Sequence, residues 1–535
     1  MPSSRAPARP RRALAALAAL ALVSSLAGSA AAAPGGQGKA GFKTSIEAML
    51  KPGAQAPDGV VIDPIITVGD TVEGFTFDSI PDGISLIRHG RGTVDLYVNH
   101  ETSLVPFPGT FTDFSNSHVD RLRLNQKSAG VLEGIDAIPS TANYQRFCSN
   151  FLAGPAQGFD RQILFTNEEA TDIVNRQGLA WPAPSTFGSQ PEQAGVVVAL
   201  DIETGEYRSI YGMGRHNHEN SVAIPGYDEL IVLSGDDTFS APASQMYSYI
   251  AADTDAVWDD EGALYAFKSN DPLTNDYGDL TVGESVAGTF IPVPEAIAKG
   301  DQTGLENWSN ANDVFQFIRV EDIAYDRNDP RIVYFADTGE PRASNATSAG
   351  AGRLTRAGSS FRGPYMNGRI FEMVLNADDP RQVDSLSILI DGDLGGYNNP
   401  LALHQPDNLE TSGNSLLIQE DPGGHNQFAL SDPNGVGARV WRYDLSSGEL
   451  DAVLEVDQSL DNRAGYDNGP ALANRGGWES SGIIDASSIW GPGWFLVDIQ
   501  AGTLILESEE GTLGDREVTF EREGGQLLRV RIPGA

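Results

Sequence analysis

Acidic side chains recur at one kind of place in this sequence, the end of a short β-branched or aromatic run. The residues at these run ends are Glu101, Glu168, Glu169, Asp236, Asp237, Asp337, Glu420, Asp421 and Asp498. Further candidates lie just before such runs, namely Glu219, Glu321, Asp322, Asp407 and Asn408. Carboxylates gathered at one place repel and are costly to bury, and cations remove that cost. Because oxygen ligands suit hard ions such as Ca²⁺, the recurrence predicts a multi-metal centre. The alternative for any single residue is a turn cap or a solvated carboxylate.

Two further residues are candidates for chemistry. Cys148 is the only cysteine, which excludes an intramolecular disulfide. A lone cysteine is usually a small buried hydrophobe, but a free thiol kept in an exported chain indicates protection by burial or by a metal. Arg319 lies two residues before Glu321 and therefore shares its face of a strand, where it could bind phosphate in a bidentate manner. The alternative for Arg319 is a surface salt bridge.

The histidines and the common catalytic motifs point away from several enzyme classes. None of the seven histidines has the His-x-x-x-His or HExxH spacing of a zinc protease. His100 and His218 each precede a glutamate, and consecutive strand residues point to opposite faces, so we interpret both as mainly structural. A GxSxG elbow and a P-loop are absent from the sequence.

Two kinds of strand alternate along the chain and must position these residues. The first kind ends in the acidic clusters, as LYVNHE (96–101), ILFTNEE (163–169), LIVLSGDD (230–237), IVYFADT (332–338), LLIQED (416–421) and FLVDIQ (495–500). The second kind alternates apolar and polar residues and mostly ends in a turn, as in residues 119–126, 195–206, 262–270, 368–379, 438–449 and 525–534. Six alternating pairs predict six similar β-sheet units.

Radial repetition of small antiparallel sheets produces a propeller, so we predict an all-β fold, a six-bladed β-propeller with loop insertions on one face. Propellers bring corresponding strand ends together around a central channel. We expect a single propeller domain over residues 46–535, with 271–312 and 339–366 as loops and 34–45 as a flexible lead-in. The alternative architecture is a long sandwich or two all-β domains.

Composition and the N-terminus limit the partners and the compartment. The net charge is −37, with 36 Lys+Arg against 73 Asp+Glu, which argues against nucleic acid and anionic lipid as partners. Residues 1–33 combine several arginines, an apolar stretch too short to span a membrane and small residues at a cleavage zone, so they predict an export signal. The pair Arg11 and Arg12 makes the twin-arginine route a candidate. We expect a secreted monomer without a membrane anchor.

Taken together, these motifs resemble the PhoX-type alkaline phosphatases. The motifs that carry the resemblance, in chain order, are VNHE (98–101), Cys148 with TNEEA (166–170), GRHNHEN (214–220) with LSGDD (233–237), FIRVEDI (317–323), QPDNL (405–409) with IQED (418–421), and WESSGI (478–483) with WFLVDIQAG (494–502). They span about residues 60 to 505, and their shared order makes the set fairly specific. The stretch before Glu168, QGFDRQILFTNEEA (157–170), departs from the Trp-Gly-containing approach usual in the family.

The resemblance implies a secreted phosphomonoesterase on a six-bladed propeller, with Fe³⁺ and Ca²⁺ as cofactors and a small-molecule phosphate ester as substrate. By resemblance, Cys148 is the thiolate that bridges iron, and Arg319 holds the substrate phosphate. The implied metal ligands are Glu101, Glu168, Glu169, Glu219, Asp237, Glu321, Asp322, Asp407, Asn408 and Glu420.

Three other functions stay open at the level of sequence. The chain could be a non-catalytic calcium-binding propeller that acts as a binding module. It could also be a phosphodiesterase or phytase, or a lactonase, because propellers with central calcium support varied chemistry.

Overall fold

A computed structural model of the chain describes residues 39–90, 92–103, 110–112, 116–174, 192–237, 244–339, 367–395, 399, 401–421, 436–459, 477–513 and 516–535. The predicted export signal at residues 1–33 and most of the predicted loop at 339–366 lie outside these ranges. Residues Ala40–Ala535 form one compact unit. Among the described residues, no helix has the length and hydropathy needed to cross a membrane.

Four short strands open the described chain: β1 (Leu50–Pro52), β2 (Val61–Thr67), β3 (Thr71–Val72) and β4 (Phe75–Thr76). β3 and β4 form a two-stranded hairpin. β1 and β2 instead become the outer strands of the last two sheets of the chain, by pairing with β28 and β31 respectively. The N-terminal segment therefore closes the ring. Within the predicted lead-in, Phe42 forms an antiparallel bridge with Val131, so its described part is held against the first sheet.

The first two sheets each have four antiparallel strands. From the centre outwards, blade 1 contains β5 (Pro81–Arg88), β6 (Thr93–His100), β8 (His118–Asn125) and β9 (Val131–Ile138). Blade 2 contains β10 (Phe147–Ala153), β11 (Ile163–Glu168), β14 (Val197–Asp201) and β15 (Tyr207–Ile210). The short strands β7 (Thr110–Thr112), β12 (Ile173–Val174) and β13 (Glu192–Gln193) lie in the connections.

Blades 3 and 4 are joined at their outer edges into one nine-stranded sheet. Blade 3 contains β16 (His218–Ile224), β17 (Leu230–Asp236), β18 (Met246–Ala251) and β19 (Ala263–Ser269). Blade 4 contains β21 (Val320–Tyr325), β22 (Ile332–Asp337), β23 (Arg369–Leu375) and β24 (Gln382–Asp391). The joining strand β20 (Ser285–Pro292) pairs with both β19 and β24.

The last two blades complete the ring. Blade 5 contains β25 (Pro406–Ser412), β26 (Ser415–Glu420), β27 (Arg439–Asp444) and β28 (Leu450–Val456). Blade 6 contains β29 (Glu479–Asp485), β30 (Trp494–Leu513) and β31 (Arg516–Arg531). Each innermost strand contacts the innermost strands of both neighbouring blades, and β29 contacts β5. The fold is therefore the predicted six-bladed β-propeller.

Helices are few and short among the described residues: α1 (Thr254–Trp258), α2 (Glu295–Ala298), α3 (Gln302–Ala311), α4 (Ser487–Trp490) and 3-10 turns at Ser140–Ala142, Pro155–Gln157, Tyr211–Met213 and Gly392–Gly395. The prediction of a loop over 271–312 was wrong, because this segment contains β20, α2 and α3. In blade 3 the alternating run 262–270 contains the outermost strand, whereas in the other blades the corresponding run contains the third strand. The third strand of blade 3, Met246–Ala251, is buried on both faces and so has no alternation to detect.

The hydrophobic core is divided among the interfaces between blades. Six clusters of buried side chains each lie between two neighbouring blades, from the cluster of blades 1 and 2 around Phe147 to the cluster of blades 6 and 1 around Leu496. Burying one large aliphatic or aromatic side chain contributes about 1.5–3 kcal/mol. This packing lets the innermost strands carry polar residues, because the blades are held together outside the channel.

All six innermost strands have a β-bulge near their first residues, where the pairing register with the second strand shifts by one. The residues at the six bulges are Asp82-Gly83, Cys148-Ser149, Glu219-Asn220, Glu321-Asp322, Asp407-Asn408 and Ser481-Gly482. A bulge re-aims the side chains of its strand and often occurs beside active sites. The repeated bulge therefore presents an equivalent pair of residues from every blade to the channel, and in blades 1 and 6 the second of the two is a glycine.

Candidate metal centre

The first residue of the bulge supplies the inner part of the site. In five of the six blades this residue has an acidic or thiol side chain that lines one cavity: Asp82, Cys148, Glu219, Glu321 and Asp407. All five are less than 10% exposed. Blade 6 has Ser481 at this position, and its Oγ donates a hydrogen bond to Asp82 Oδ1 at 3.0 Å. The blade repeat thus converts five distant sequence positions into one cluster.

In four blades the residue directly after the second strand supplies the outer part of the site. These residues are the carboxylates Glu101, Glu169, Asp237 and Asp421, and blade 6 adds Gln500 from within β30. Gln500 Nε2 donates to Glu101 Oε2 at 3.0 Å and to Asp82 Oδ2 at 3.2 Å. This amide therefore links the outer and inner parts of the site in blade 1.

These residues enclose a cavity of about 350 Å³ at the end of the channel where the innermost strands begin. Its remaining lining consists of Ile80, Arg146, Arg319, Glu479, Gly502 and Glu523. Ten carboxylates line the cavity in total, against two arginines. The volume is at the small end of the range for ligand sites, and the charge balance favours a cationic occupant.

The ligand atoms form three overlapping triads whose members lie within 4.8 Å of one another. The triads are Asp82 with Glu101 and Cys148, Cys148 with Glu169 and Glu219, and Glu219 with Glu321 and Asp407. Cys148 Sγ lies 3.0 Å from Asp82 Oδ2 and 3.2 Å from Glu219 Oε1. Cys148 and Glu219 thus each belong to two triads, which is the arrangement expected of residues that bridge neighbouring ions.

Two asparagines near the ends of second strands hold the bulge that carries the thiol. Asn99 Nδ2 donates to the carbonyl oxygens of Cys148 and Ser149, and Asn167 Nδ2 donates to Ser149 O at 2.9 Å. A bulge leaves backbone groups without their ladder partners, and these amides satisfy them. The asparagine in VNHE and in TNEE therefore positions Cys148 from the blade interior.

Arg319 is held in the cavity by two carboxylates. Its Nε and Nη2 donate to Asp237 Oδ1 and Oδ2, both at 2.7 Å, and Nη2 lies 3.2 Å from Glu321 Oε1. The bidentate geometry fixes the plane of the guanidinium. Burial alone would lower the pKa of Arg319, but Asp237 and Glu321 more than offset it and keep the pKa well above its usual value. The arginine is thus a permanent, oriented cation.

The buried acids of the cavity are strained electrostatically. Burial, followed by the charge of Glu101, raises the pKa of Asp82 to about 7. Burial and neighbouring carboxylates also raise the pKa of Glu169, Glu219, Glu321, Asp407 and Glu479 well above the ordinary range. The same causes raise the pKa of the Cys148 thiol. Bound cations reverse this effect, because they stabilise the deprotonated forms.

The donor set fits metal ions. Clustered carboxylate oxygens are the ligands of Ca²⁺, and a thiolate among carboxylates suits a transition metal such as iron. The carboxylates Asp82, Glu101, Glu169, Glu219, Glu321 and Asp407 and the thiol of Cys148 are the residues that would hold such ions.

The structure brings eight of the predicted site residues into the cavity and places four elsewhere. The eight are Glu101, Cys148, Glu169, Glu219, Asp237, Arg319, Glu321 and Asp407. Asp322 and Asn408 are the second residues of their bulges and line a separate cavity of about 200 Å³ further along the channel. There, Asp322 Oδ2 accepts a hydrogen bond from Leu409 N at 2.8 Å, and Asn408 Nδ2 donates to Ser149 Oγ at 3.0 Å.

Glu168 and Glu420 point into their blades instead of the cavity. Glu168 accepts hydrogen bonds from the backbone N–H of Gln145 and of Val196. Glu420 accepts from Trp441 Nε1 at 2.7 Å and pairs with Arg439. Burial alone would raise the pKa of Glu420, but Arg439 and His404 lower it to about 2. These contacts occupy both carboxylates in structural roles.

The predicted ligand set omits five charged residues of the cavity, Asp82, Arg146, Asp421, Glu479 and Glu523, of which only Asp421 was named among the acidic run ends. Asp421 had a local signal, because it stands after its strand as Glu169 and Asp237 do. Asp82 precedes a second-strand run in the same way as Glu321. Arg146 and Glu479 have no such counterpart in the repeat.

Comparison with known proteins shows a shared fold. A solved structure of Pseudomonas fluorescens PhoX in complex with vanadate, a transition state analogue, superposes with a TM-score of 0.58 at 15% identity, covering 92% of this chain and 98% of that chain. An alpha-L-arabinanase from Penicillium chrysogenum matches with a TM-score of 0.38 and 9% identity, covering 89% of this chain and 99% of that chain. The NanB sialidase of Streptococcus pneumoniae matches with a TM-score of 0.37 and 9% identity, covering 88% of this chain and 70% of that chain. No protein-family model and no curated protein matches the sequence. The chain therefore has a PhoX-like propeller fold.

Proposed function

We propose that this protein is a metal-dependent hydrolase of phosphate esters, a phosphomonoesterase of the PhoX type, that acts in the acidic cavity. The observation that carries the proposal is the position of Arg319. A partly buried arginine held by Asp237 stands beside three overlapping ligand triads. A cluster that only bound calcium would have no need of an oriented guanidinium, whereas a phosphate ester needs both cations and a planar donor.

We propose that the carboxylates would hold Ca²⁺ and that the Cys148 thiolate would be a ligand of Fe³⁺. This assignment follows the resemblance of the motifs and is supported by the place of Cys148 in two triads. When bound, such ions would supply the positive charge that neutralises phosphoryl oxygens. A fully acidic cavity would otherwise repel the substrate.

The protein's own residues then orient the ester. Asp237 and Glu321 contact Nε and Nη2 of Arg319 and fix the plane of its guanidinium, to which we assign the phosphate contact. Negative charge that develops on the transferred group is stabilised by a donor that needs no reorganisation, since the guanidinium is already fixed. Thr338 Oγ1 donates to Glu321 Oε1 at 2.7 Å and so limits the rotation of this carboxylate.

The test begins with protein purified without chelators, whose calcium and iron are counted by mass spectrometry. Hydrolysis of p-nitrophenyl phosphate is then measured with added calcium and after chelation. We expect bound calcium and iron, and turnover that chelation abolishes. Calcium binding without turnover of any mono- or diester would instead identify a binding module.

Two arginine variants sharpen this test. Arg319→Lys keeps the charge but loses the bidentate pair, so we expect kcat/KM to fall about a hundredfold, which corresponds to two charge-assisted hydrogen bonds. The matched control is Arg327→Lys, because Arg327 pairs with Glu410 at the second cavity of the channel. The control should keep wild-type turnover. Equal losses in both variants would mean that the effect of Arg319 is a general effect on folding.

We further propose that the protein is exported through its first 33 residues. The support is the sequence pattern of arginines, apolar stretch and small residues. Intact mass of protein recovered outside the cytoplasm should show removal of this segment. Replacement of Arg11 and Arg12 by lysine should block export if the twin-arginine route is used, and normal export of that variant would favour the general route.

A further inference from the structure

Blade 1 contains a second group of potential metal ligands, away from the acidic cavity. His100 is the last residue of β6 and stands directly opposite His118, the first residue of β8. Asp120 lies two residues after His118 and therefore on the same face of the sheet. All three side chains are buried, with exposures of 0%, 8% and 1%. Because Glu101 follows His100 in an extended chain, it points away from this cluster into the cavity.

The three side chains converge closely enough to share one ion. His100 Nε2 lies 3.0 Å from Asp120 Oδ2, and His118 Nε2 lies 3.9 Å from Asp120 Oδ1. The two imidazole rings are stacked, with centroids 4.3 Å apart and planes 10° from parallel. In a tetrahedral zinc site with bonds of about 2.0 Å, ligand atoms are about 3.3 Å apart. The two nitrogen–oxygen distances of 3.0 Å and 3.9 Å lie on either side of this ligand–ligand distance.

The hydrogen bond that His100 makes through Nδ1 leaves its other ring nitrogen, Nε2, as an acceptor. Its Nδ1 lies 3.1 Å from the carbonyl oxygen of Ser79, which can only accept, so Nδ1 carries the proton. In the neutral imidazole, Nε2 then presents a lone pair to a carboxylate oxygen that also presents lone pairs. A cation between these two acceptors removes the conflict. A backbone carbonyl that fixes the tautomer in this way is the usual outer support of a zinc-bound histidine.

An unsatisfied polar atom points to the same place. Among the described residues, Asp120 Oδ1, which faces His118 Nε2, has no hydrogen-bond partner. Asp120 is 1% exposed, and a buried carboxylate oxygen without a partner is costly. An ion bound by Asp120 would satisfy this oxygen, whereas a proton shared between Asp120 and His100 would not.

An acidic surface depression lies beside the cluster. Asp136 on β9 stands directly opposite Asp120 and is exposed. Together with Glu73 and Glu133 it lines a surface depression of about 600 Å³ next to the β3–β4 hairpin. These three carboxylates attract cations to this side of blade 1.

We propose that His100, His118 and Asp120 form a zinc site in blade 1, separate from the centre in the cavity. Two imidazoles and one carboxylate are a ligand set that suits Zn²⁺, and two ligands from one strand with a third from its neighbour require no distortion of the sheet. The ion would tie the end of β6 to the start of β8. It would thereby hold the strand end from which Glu101 extends into the cavity.

The test is zinc binding by the full mature chain, stripped of metals and then held in excess calcium so that the carboxylates of the cavity are occupied. Zinc is titrated in competition with a chromophoric chelator. We expect one tightly bound zinc per chain in the wild type and in Cys148→Ser, and none in His118→Gln or Asp120→Asn. Failure of the wild type to compete for zinc, or tight zinc in both cluster variants, would overturn the proposal.

The matched control is His89→Ala. His89 belongs to the same blade and pairs with a carboxylate, Asp95, at 3.1 Å, but it is exposed and lies outside the cluster. This variant should bind zinc as the wild type does. If the cluster variants do not fold, X-ray absorption of zinc-loaded wild type decides the question. A shell of nitrogen and oxygen at about 2.0 Å with imidazole scattering supports the site, and a sulfur at about 2.3 Å would place the zinc at Cys148 and refute it.

Discussion

The raised pKa of Asp82 leads to a stability prediction for the metal-free protein. Burial and Glu101 raise the pKa of Asp82 from 3.8 to about 7. A carboxylate with a folded pKa above its unfolded value binds more protons in the folded state. The contribution of Asp82 to the free energy of unfolding is therefore fully present below pH 4 and is lost as the pH rises through 7. At about 1.36 kcal/mol per pKa unit, the cost from Asp82 alone reaches about 4 kcal/mol.

The perturbation is Asp82→Asn, which removes the charge and keeps the shape. In the presence of chelator, the free energy of unfolding of the variant should equal that of the wild type near pH 4 and exceed it by about 4 kcal/mol at pH 8. The entropy of unfolding of about 500 residues, at about 2.1 cal/mol/K per residue, converts this to a rise of about 4 °C in Tm. The buried histidines have lowered pKa values, so their contribution to the free energy of unfolding has the opposite pH dependence. This contribution is the same in both proteins and cancels when they are compared at equal pH.

The assay is thermal unfolding of both proteins from pH 4 to 8, with chelator and with calcium. Calcium should reverse the order at pH 8, because the variant lacks a ligand that the wild type uses. Asp259→Asn is the control, since Asp259 is an exposed carboxylate paired with Arg208, and it should change Tm by little at any pH. A metal-free Asp82→Asn protein less stable than the wild type at pH 8 would refute the reasoning.

Three further outcomes follow from individual contacts. Cys148→Ser should fold and keep its calcium but lose iron in elemental analysis, because a hydroxyl is a poor substitute for a bridging thiolate; retained iron would contradict the role of the thiol. Glu420→Gln should lower stability by about 3–5 kcal/mol by breaking a buried pair, with no change in metal content, as measured by unfolding and elemental analysis. Gly83→Ala should lower Tm, because an added Cβ would lie 2.4 Å from the backbone nitrogen of Asn150 on the neighbouring inner strand; an unchanged Tm would show that the two inner strands can separate freely.

The repeat and the fold could be predicted because the second strands are buried β-branched runs with a clear local signal. The innermost strands could not be recognised as strands in the same way. HENSVAI (218–224) and PDNLETS (406–412) are polar and carry a bulge, so neither alternation nor a continuous apolar run marks them. Their polarity makes sense only around a channel, which no local pattern reveals.

The errors in the candidate site come from strand parity. The alternation that separates His100 from Glu101 also separates Glu168 from Glu169 and Glu420 from Asp421. In each pair the second residue lines the cavity and the first points into the blade. The same rule applied to every strand end selects Asp421 in place of Glu420.

Other parts of the site depend on contacts that sequence spacing does not encode. Arg319 was predicted to share a face with Glu321, and it does, but its bidentate partner Asp237 comes from the neighbouring blade 82 residues earlier. Similarly, Glu479 reaches the cavity from blade 6, where the bulge position itself is occupied by a serine. Such pairings follow from the closure of the ring.

The central claim is that bound cations convert an acidic cavity into a site for phosphate. Its most direct test is calorimetric titration of orthophosphate into the metal-loaded protein, into the chelated protein and into metal-loaded Arg319→Ala. We predict binding to the metal-loaded wild type, none to the chelated protein and at least about tenfold weaker binding to the variant. No binding to the metal-loaded wild type, or equal binding with and without metals, would contradict the account.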